Sequence, residues 1–579
     1  MYTAAKKLPW DFLKEYRGTL FNGEWPTIPE MVRITAARFP ARPCFTDFNP
    51  DKTTRTYEQA LAAVENLARW LTANGAERGV HVAVSGKNSS EWATVYLAAL
   101  FAGAVIVPID YGLHNAEIEN LLNTAQPLFF FVDEEKIAYF KEHSCGTRVY
   151  SLSDKYPELY VYNLAVPDGS AVELDRADEE DIAAILFTSG TTGTPKGVML
   201  THRNLVSDCY IAQTRLELFE TDVFYALLPI HHAYTMLAVF IEALSVGAEI
   251  VFGRTMAVSR MLKELREGQI TMLLGVPLLF NKLLAGILNG IREKGPVVNG
   301  AMKLLRGISF TAKRLTGRNP GKKLFAPVLK KASISSVRIA ICGGGPLAAS
   351  VFRIYNELGI DFIQGYGLTE TSPIIALNPK EHFKVESVGQ YFAPYMQMRI
   401  ADPDENGIGE VQVKGPMVME GYYNMPEETI AVFTGDGWFK TGDLGKLDSE
   451  GYLYLAGRAK NLIVTEGGKN VYPEELENAF QLETDIEQIT VQGYIMNRET
   501  KSEGIEALIY PSDALYQRLG KPRSANADTQ TAVRAEIQYI VDKLNRTFQP
   551  YARISRITIL DAPLEMTTTK KVKRAQAKT

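Results

Sequence analysis

At 579 residues the chain is longer than one hydrophobic core ordinarily supports, so two or more domains are expected. With 46% hydrophobic and 22% charged residues it has the composition of a soluble globular protein, and a net charge of −5 with a pI near 6.0 gives no reason to expect nucleic acid as a partner. Cys44, Cys145, Cys209 and Cys342 show no CxxC or Cys/His ligand spacing, which argues against a structural zinc site and fits a reducing compartment, the cytoplasm.

The opening MYTAAKKLPWDFLKEY has no apolar core and no small-residue cleavage site, so no secretory signal is read there. Residues 28–110 then alternate helical patterns with short apolar runs. Glu58 to Asn74 reads as helix and His81 to Ser85 as strand. The 18 residues from Trp92 to Ile109 carry no charge, which reaches the lower limit for a spanning helix. Gly103 interrupts them, and β-branched Val105, Ile106 and Val107 precede Pro108. We therefore read a buried helix, a glycine turn and a buried strand, and no membrane span.

Leu128 to Val132 and Arg148 to Ser151 are further short strands, and Ile182 to Phe187 is an apolar run of the same kind. Past residue 204 the alternation resumes: strand Val223 to Leu228, helix Ala233 to Leu244, strand Glu249 to Phe252, helix Val258 to Glu267, strand Met272 to Gly275. Strand Ser336 to Cys342 and helix Ala348 to Leu358 continue it. Such alternation predicts an α/β fold of doubly wound parallel sheets. From about Val388 short strands with Gly, Pro and Asp turns suggest a small antiparallel barrel. A polar break at Gly457 to Asn461 is expected to divide an N-terminal domain, residues 1–459, from a C-terminal domain, residues 460–579. In the latter, a helix starts at Pro473, Ser512 to Thr529 reads as a polar loop-like insertion, and Thr531 to Asn545 reads as helix.

The stretch from Thr188 to Asn204, TSGTTGTPKGVMLTHRN, follows the apolar run at 182. Gly190 and Gly193 let backbone N–H groups turn to one side, forming an anion nest. Thr188, Ser189, Thr191, Thr192 and Thr194 add hydroxyl donors, and Lys196 adds a full charge. A polyphosphate suits such a loop. It is not a Walker A loop, since Pro195 stands where that motif needs Gly. With the Thr-His-x-Asn element at Thr201 to Asn204, the loop resembles the signature of the adenylate-forming enzymes.

A second block, Gln364 to Thr371 (QGYGLTET), follows a strand at Asp361 to Ile363. Tyr366, between Gly365 and Gly367, offers a ring face to adenine, Thr369 a hydroxyl to the α-phosphate, and Glu370 a hard oxygen ligand for Mg²⁺. Gly343 to Leu347 (GGGPL) precedes it; three glycines permit close approach of a ligand to the backbone, and the resemblance implies that this segment, with Gly344, Gly345 and Pro346, borders the adenine and lines the acyl pocket. Asp443, in Thr441-Gly442-Asp443, can accept two hydrogen bonds from a ribose diol, and Arg458 is expected to reach the same sugar. YGLTET is similar to the family's nucleotide block, and the spacing of TGD to Gly457-Arg458 is similar to that of the fatty acyl-CoA synthetase signature.

The resemblance, which runs from about Thr27 to Arg574, implies further roles. His232 covers the carboxylate site. Lys460 is the hinge, and Gly467 and Gly468 line the passage for CoA. A C-terminal lysine orients the carboxylate and the α-phosphate; alignment of Val572 favours Lys571, while Lys570 occupies the usual Gly, and both stay open. Two adjacent His could hold a metal, but His231-His232 has no third ligand at suitable sequence spacing.

Between Arg292 and Arg338 there are 12 Lys or Arg and one acid, Glu293, a local charge of +11. Leu304, Leu305, Ile308 and Leu315 fall at helical spacing there, beside Lys303, Arg306, Lys313 and Arg314. A peripheral contact with a membrane surface is one reading, and a solvated helix with its apolar face on the core is the other. An insertion here resembles long-chain fatty acid–CoA ligases more than short-chain relatives. The expected function is ATP-dependent activation of a long-chain fatty acid and its transfer to CoA. The alternative is a fatty acyl-AMP ligase serving an acyl carrier protein.

Overall fold

The computed structural model describes residues 8–49, 51–143, 146–166, 172–174, 177–188, 195–317, 319–465, 469–497, 502–523, 526–566 and 572. Two mixed sheets carry the N-terminal region. In the seven-stranded one, Arg148–Ser151, Phe129–Val132, His81–Ser85, Val105–Pro108 and Ile182–Thr188 lie parallel. Lys196–Thr201 then folds back antiparallel on Ile182–Thr188. The thirteen-stranded sheet has a parallel half: Pro43–Phe48, Glu249–Phe252, Val223–Ala226, Met272–Gly275, Ile339–Cys342 and Asp361–Gly367. Beyond Asp361–Gly367 its direction reverses, and six antiparallel strands from Ile374–Leu377 out to Gln397–Ala401 form the part expected as a small barrel.

The uncharged stretch at 92–109 is the helix Ser90–Phe101, capped by Ser89, followed by the strand Val105–Pro108. All its helical residues except Glu91 are buried, and Trp92 stacks on Tyr96 at 5.4 Å. A helix that is apolar all round needs cover on every side, and this one has it within the main core. Among the described residues no helix is long and apolar enough to cross a membrane.

Two sequence expectations need correction. The helix expected over 233–244 is not uniform: Ala233–Thr235 is α, Met236–Ile241 is a π-helix, and Glu242–Val246 is α again. Such insertions frequently sit at functional sites. The segment 512–529 is not a loop either. It contains the helix Asp513–Leu519, capped by Ser512 and closed by Gly520 at φ +63°, and it runs into the helix Ala527–Asn545. Only Leu515 of the short helix is buried, so its sequence shows no apolar stripe to read.

After Arg458 the chain passes through one short turn, Ala459–Asn461, into a three-stranded sheet with its own core around Val491, Ile505, Ile509, Ile537 and Val541. The basic stretch forms the helices Pro296–Thr316, Gly321–Leu324 and Ala326–Lys331. Of the basic residues on the first of them, Lys313 is buried. Its Nζ donates to Asn356 Oδ1 at 2.6 Å and to Asp361 Oδ1 at 2.8 Å, tying the helix to the strand that carries the nucleotide block.

Candidate active site

The Gly/Thr loop is the connection of a β-hairpin: Thr188 pairs with Lys196, and the register runs back to Ile182 and Thr201. Ser189, Gly190, Thr191, Thr192, Gly193 and Thr194 lie outside the described residues, as do Gly467, Gly468, Lys570 and Lys571. Opposite the hairpin, Asp361–Gly367 ends beside Pro373. A Cβ on Gly367 would stand 1.5 Å from the Pro373 carbonyl oxygen, so the glycine is required by the fold itself. Between these two edges opens a cavity of about 670 Å³. Thr188, Lys196, Thr369 and Glu370 line it, as do Gly344, Gly365, Tyr366 and Gly367. His232, Arg458 and Lys460 complete the predicted residues that reach it.

Asp443 joins the cavity through its neighbours. Tyr366 donates its hydroxyl to Asp443 Oδ2 at 2.7 Å, and Arg458 Nε lies 3.0 Å from Oδ1. The two partners come from Asp361–Gly367 and from Tyr452–Arg458, where Arg458 is the register partner of Asp443. Burial first, then the charge of Asp443, raises the Tyr366 pKa well above its usual value, so the phenol stays a donor. Anchored through its hydroxyl, Tyr366 lines the cavity.

Glu370 Oε1 accepts from the Tyr422 hydroxyl at 2.9 Å, and Lys196 Nζ stands 4.7 Å from the centroid of the Tyr422 ring. Tyr422 therefore links the charged end of the hairpin to the acid. Tyr422 carried no sequence signal; it lies in the two-residue strand Gly421–Tyr422, which adds to Lys196–Thr201 only in the fold. Around this point the cavity offers a carboxylate, a lysine and hydroxyls. A single protein carboxylate fits a magnesium ion that arrives on a triphosphate, since Mg²⁺ keeps most of its shell as water and phosphate oxygen.

The glycine turn splits in two. Gly344, at φ +76°, faces the cavity, whereas the Pro346 carbonyl accepts from Gln481 Nε2 of the C-terminal region at 2.8 Å. Gln481 Oε1 also accepts from the Ala348 N–H at 2.9 Å. Pro346 thus meets the small domain, and neither it nor Gly345 is among the residues lining the cavity. The histidine pair needs the opposite correction. A third side chain of ligand type, distant in sequence, does stand beside the pair: Asp110 Oδ2 lies 3.6 Å from His231 Nε2, and one such atom each of Asp110, His231 and His232 fall within 4.8 Å of one another.

Residues 32–423 match the family model described as AMP-binding enzyme. The chain belongs to the AMP-binding enzyme family. A long-chain-fatty-acid–CoA ligase of Mycobacterium bovis is 30% identical over 563 residues, covering 90% of this chain and 89% of that protein. A feruloyl-CoA synthase of an Amycolatopsis species is 28% identical, covering 81% and 85%. Among solved structures, ATP-bound MatB from Rhodopseudomonas palustris superposes with a TM-score of 0.70 at 26% identity, covering 93% of this chain and 97% of that one. The O-succinylbenzoate CoA synthetase of Bacillus subtilis, solved with ATP and magnesium, gives 0.71 at 24%, covering 95% and 99%.

In this AMP-binding enzyme the Thr201–Asn204 element is structural. Thr201 and Asn204 form a capping box, and Asn204 Nδ2 donates to the carbonyls of Pro416 and Val418 at 2.8 and 3.0 Å. His202 Nδ1 accepts from the Ile28 N–H at 3.2 Å. Burial lowers the His202 pKa to about 4, against a smaller opposing pull from Asp181. The unfolded chain, with an ordinary histidine near 6.5, binds the proton more readily, so this contribution to stability is complete above pH 6.5 and is lost as pH falls toward 4. Between pH 7 and pH 5 that amounts to about 2 kcal/mol. Urea unfolding at the two pH values should show a gap smaller by about that amount in His202→Gln than in the wild type; equal gaps would remove His202 as the acid-sensitive group.

Proposed function

We propose that the protein is a long-chain fatty acid–CoA ligase that works through an acyl-adenylate. The observation that carries the reading is the depth of the cavity. From Gly343 and Gly344, just past the carboxyl end of Ile339–Cys342, its lining continues to Leu216, Leu218, Phe224 and Met272. Val276 and Met272 both line it, four residues apart on an extended chain, which is roughly 13 Å of apolar wall. A short acid would leave most of that length unfilled.

The Thr188–Lys196 hairpin receives the triphosphate, Tyr366 stacks on adenine, and Asp443 with Arg458 holds the ribose diol. Bound at Glu370, Mg²⁺ would supply charge neutralisation at the phosphates. The fatty carboxylate, covered by His232, attacks the α-phosphorus. An oxygen–phosphorus bond forms, the bond to the β-phosphate oxygen breaks, and pyrophosphate leaves. The small domain, residues 460–579, then turns about Lys460 and brings the segment of Gly467 and Gly468 to the cavity mouth. The thiol of CoA attacks the acyl carbon, AMP departs, and the thioester is formed.

The relatives support an adenylating ligase but differ in acid, so substrate choice is the test. Pyrophosphate and AMP release should be measured with Mg-ATP and straight-chain acids from short to long, with and without CoA. AMP release that depends on CoA and peaks at long chains supports the proposal. Acyl-AMP that accumulates while CoA is ignored moves the acceptor to a carrier protein. A peak at short or aromatic acids overturns the long-chain assignment.

The same reading includes contact with a membrane surface through the helix Pro296–Thr316. Val297, Leu304, Ile308 and Leu315 lie 84%, 68%, 56% and 81% exposed at helical spacing, whereas Phe310 and Lys313 face inward. Lys303 and Arg314 are exposed on the same helix, and Lys323, Lys330 and Lys331 on the two short helices that follow. An outward apolar stripe rimmed by lysines suits an anionic bilayer. Leu304→Asp with Ile308→Asp should reduce co-sedimentation with phosphatidylserine vesicles at least tenfold. Unchanged co-sedimentation would place the contact elsewhere.

A further inference from the structure

The far end of the acyl channel holds a carboxylic acid that the adenylation chemistry does not use. Glu242 lies where the π-helical segment Met236–Ile241 gives way to the helix Glu242–Val246; it is 2% exposed and lines the cavity with Leu216, Leu218, Phe224 and Met272. Among the described residues neither of its carboxyl oxygens has a hydrogen-bond partner. The Cys209 thiol and the Gln213 side chain stand beside it and pull its pKa down against the larger effect of burial, but neither meets its oxygens in hydrogen-bond geometry, and the Gln213 amide donates instead to Ser245 Oγ at 2.8 Å and to Cys209 Sγ at 3.7 Å. A buried carboxyl left unpaired destabilises the fold, and a hydrogen-bonding group arriving with the substrate would relieve that.

Its position measures the ligand. Glu242 is ten residues beyond His232 along a helical path, so roughly 15 Å separate them at an α-helical rise, somewhat less through the π segment. The strand wall between Val276 and Met272 is of similar length, roughly 13 Å. Carbon–carbon bonds of about 1.5 Å at tetrahedral angles advance roughly 1.25 Å per methylene, so the span takes about ten to twelve carbons.

Resting on the acyl-CoA ligase reading, we propose that Glu242 determines acid specificity, and that the preferred acid carries a hydroxyl near its distal end, roughly ten to twelve carbons from the carboxylate. Burial pushes the Glu242 pKa up to about 8. The group is therefore mainly neutral at pH 7, both donor and acceptor, and matches a hydroxyl better than an ammonium. A plain methyl end would fill the channel and leave the acid unpaired.

The test compares kcat/KM for pyrophosphate release with ω-hydroxydodecanoate against dodecanoate, and with para-hydroxycinnamate against cinnamate. Wild type, Glu242→Leu and Glu242→Gln are measured side by side. The wild type should favour ω-hydroxydodecanoate by at least tenfold, because a site built to hydrogen-bond a hydroxyl rejects the analogue that lacks it. Glu242→Leu should abolish or invert that ratio, and Glu242→Gln should keep part of it. Equal or better turnover of dodecanoate by the wild type overturns the proposal even if Glu242→Leu does not fold, and so does a ratio that Glu242→Leu leaves unchanged. A hydroxyl preference confined to the cinnamates and lost in Glu242→Leu keeps Glu242 as the determinant and overturns the long-chain reading instead. No turnover of any acid overturns both.

Discussion

Glu370→Gln is expected to lower pyrophosphate release by about 10²–10³-fold, with a smaller change in the KM for ATP. The substitution keeps the shape of the side chain and an amide oxygen that can still accept from the Tyr422 hydroxyl, now 2.9 Å from Oε1. What it removes is the negative charge at the one acidic position of the nucleotide block that faces the cavity. Lys196, on the other side of Tyr422, still attracts the triphosphate, so binding persists while neutralisation during attack on the α-phosphorus fails. Because electrostatic preorganisation acts mainly on the transition state, the loss belongs in kcat. Tyr422→Phe gives the internal control: it removes the hydrogen bond but keeps the charge, and should cost far less. Full activity in Glu370→Gln would refute the metal assignment.

How much of this was legible in the sequence depends on the range of the interaction. Elements set by local periodicity lie where the pattern puts them: His81–Ser85, Arg148–Ser151 and Val258–Glu267 match to the residue. Motif residues whose neighbours in sequence are also their neighbours in space, such as Gly365 to Glu370, line one cavity together. Contacts made by the fold were invisible. Tyr422, Asp110 and Gln481 are unremarkable in sequence and meet Glu370, His231 and Pro346 across separations of 52 residues or more. Glu242 was hidden for a further reason. In an apolar helical run a lone acid reads as a solvent-facing position, and only the three-dimensional packing shows that this one points at the channel rather than at water. The exposed stripe of the helix Pro296–Thr316 was half legible: the periodicity of Leu304, Ile308 and Leu315 is plain, but which side faces the core is fixed by Phe310 and by the Lys313–Asp361 pair.

The other large effect concerns the C-terminal lysine, and it should separate the two half-reactions. In the arrangement described here the small domain turns its 473–481 edge toward the glycine turn, with Gln481 bonded to Pro346 and Ala348 and Asn461 Nδ2 bonded to Glu474 Oε1 at 2.6 Å. The described flanks of the lysine element rest elsewhere: Met566 bridges to Val572, Gln488 Nε2 reaches the Met566 sulfur at 3.2 Å, and the Leu564 N–H donates to Gln488 Oε1. None of these flanking residues lines the cavity. On the proposed reading, rotation of the small domain about Lys460 brings the C-terminal lysine to the α-phosphate. Lys571→Ala should therefore slow adenylation by about 10²–10³-fold yet leave thioester formation from supplied acyl-AMP and CoA near the wild-type rate. Lys570→Ala is expected to slow neither half-reaction by more than a few-fold; the reverse pattern would move the assignment by one residue. Restricting the hinge with Lys460→Pro should slow the complete reaction more than either isolated half, since each half needs only one orientation and turnover needs both. An equal loss in all three assays would mean that the two half-reactions share one arrangement and that no rotation separates them.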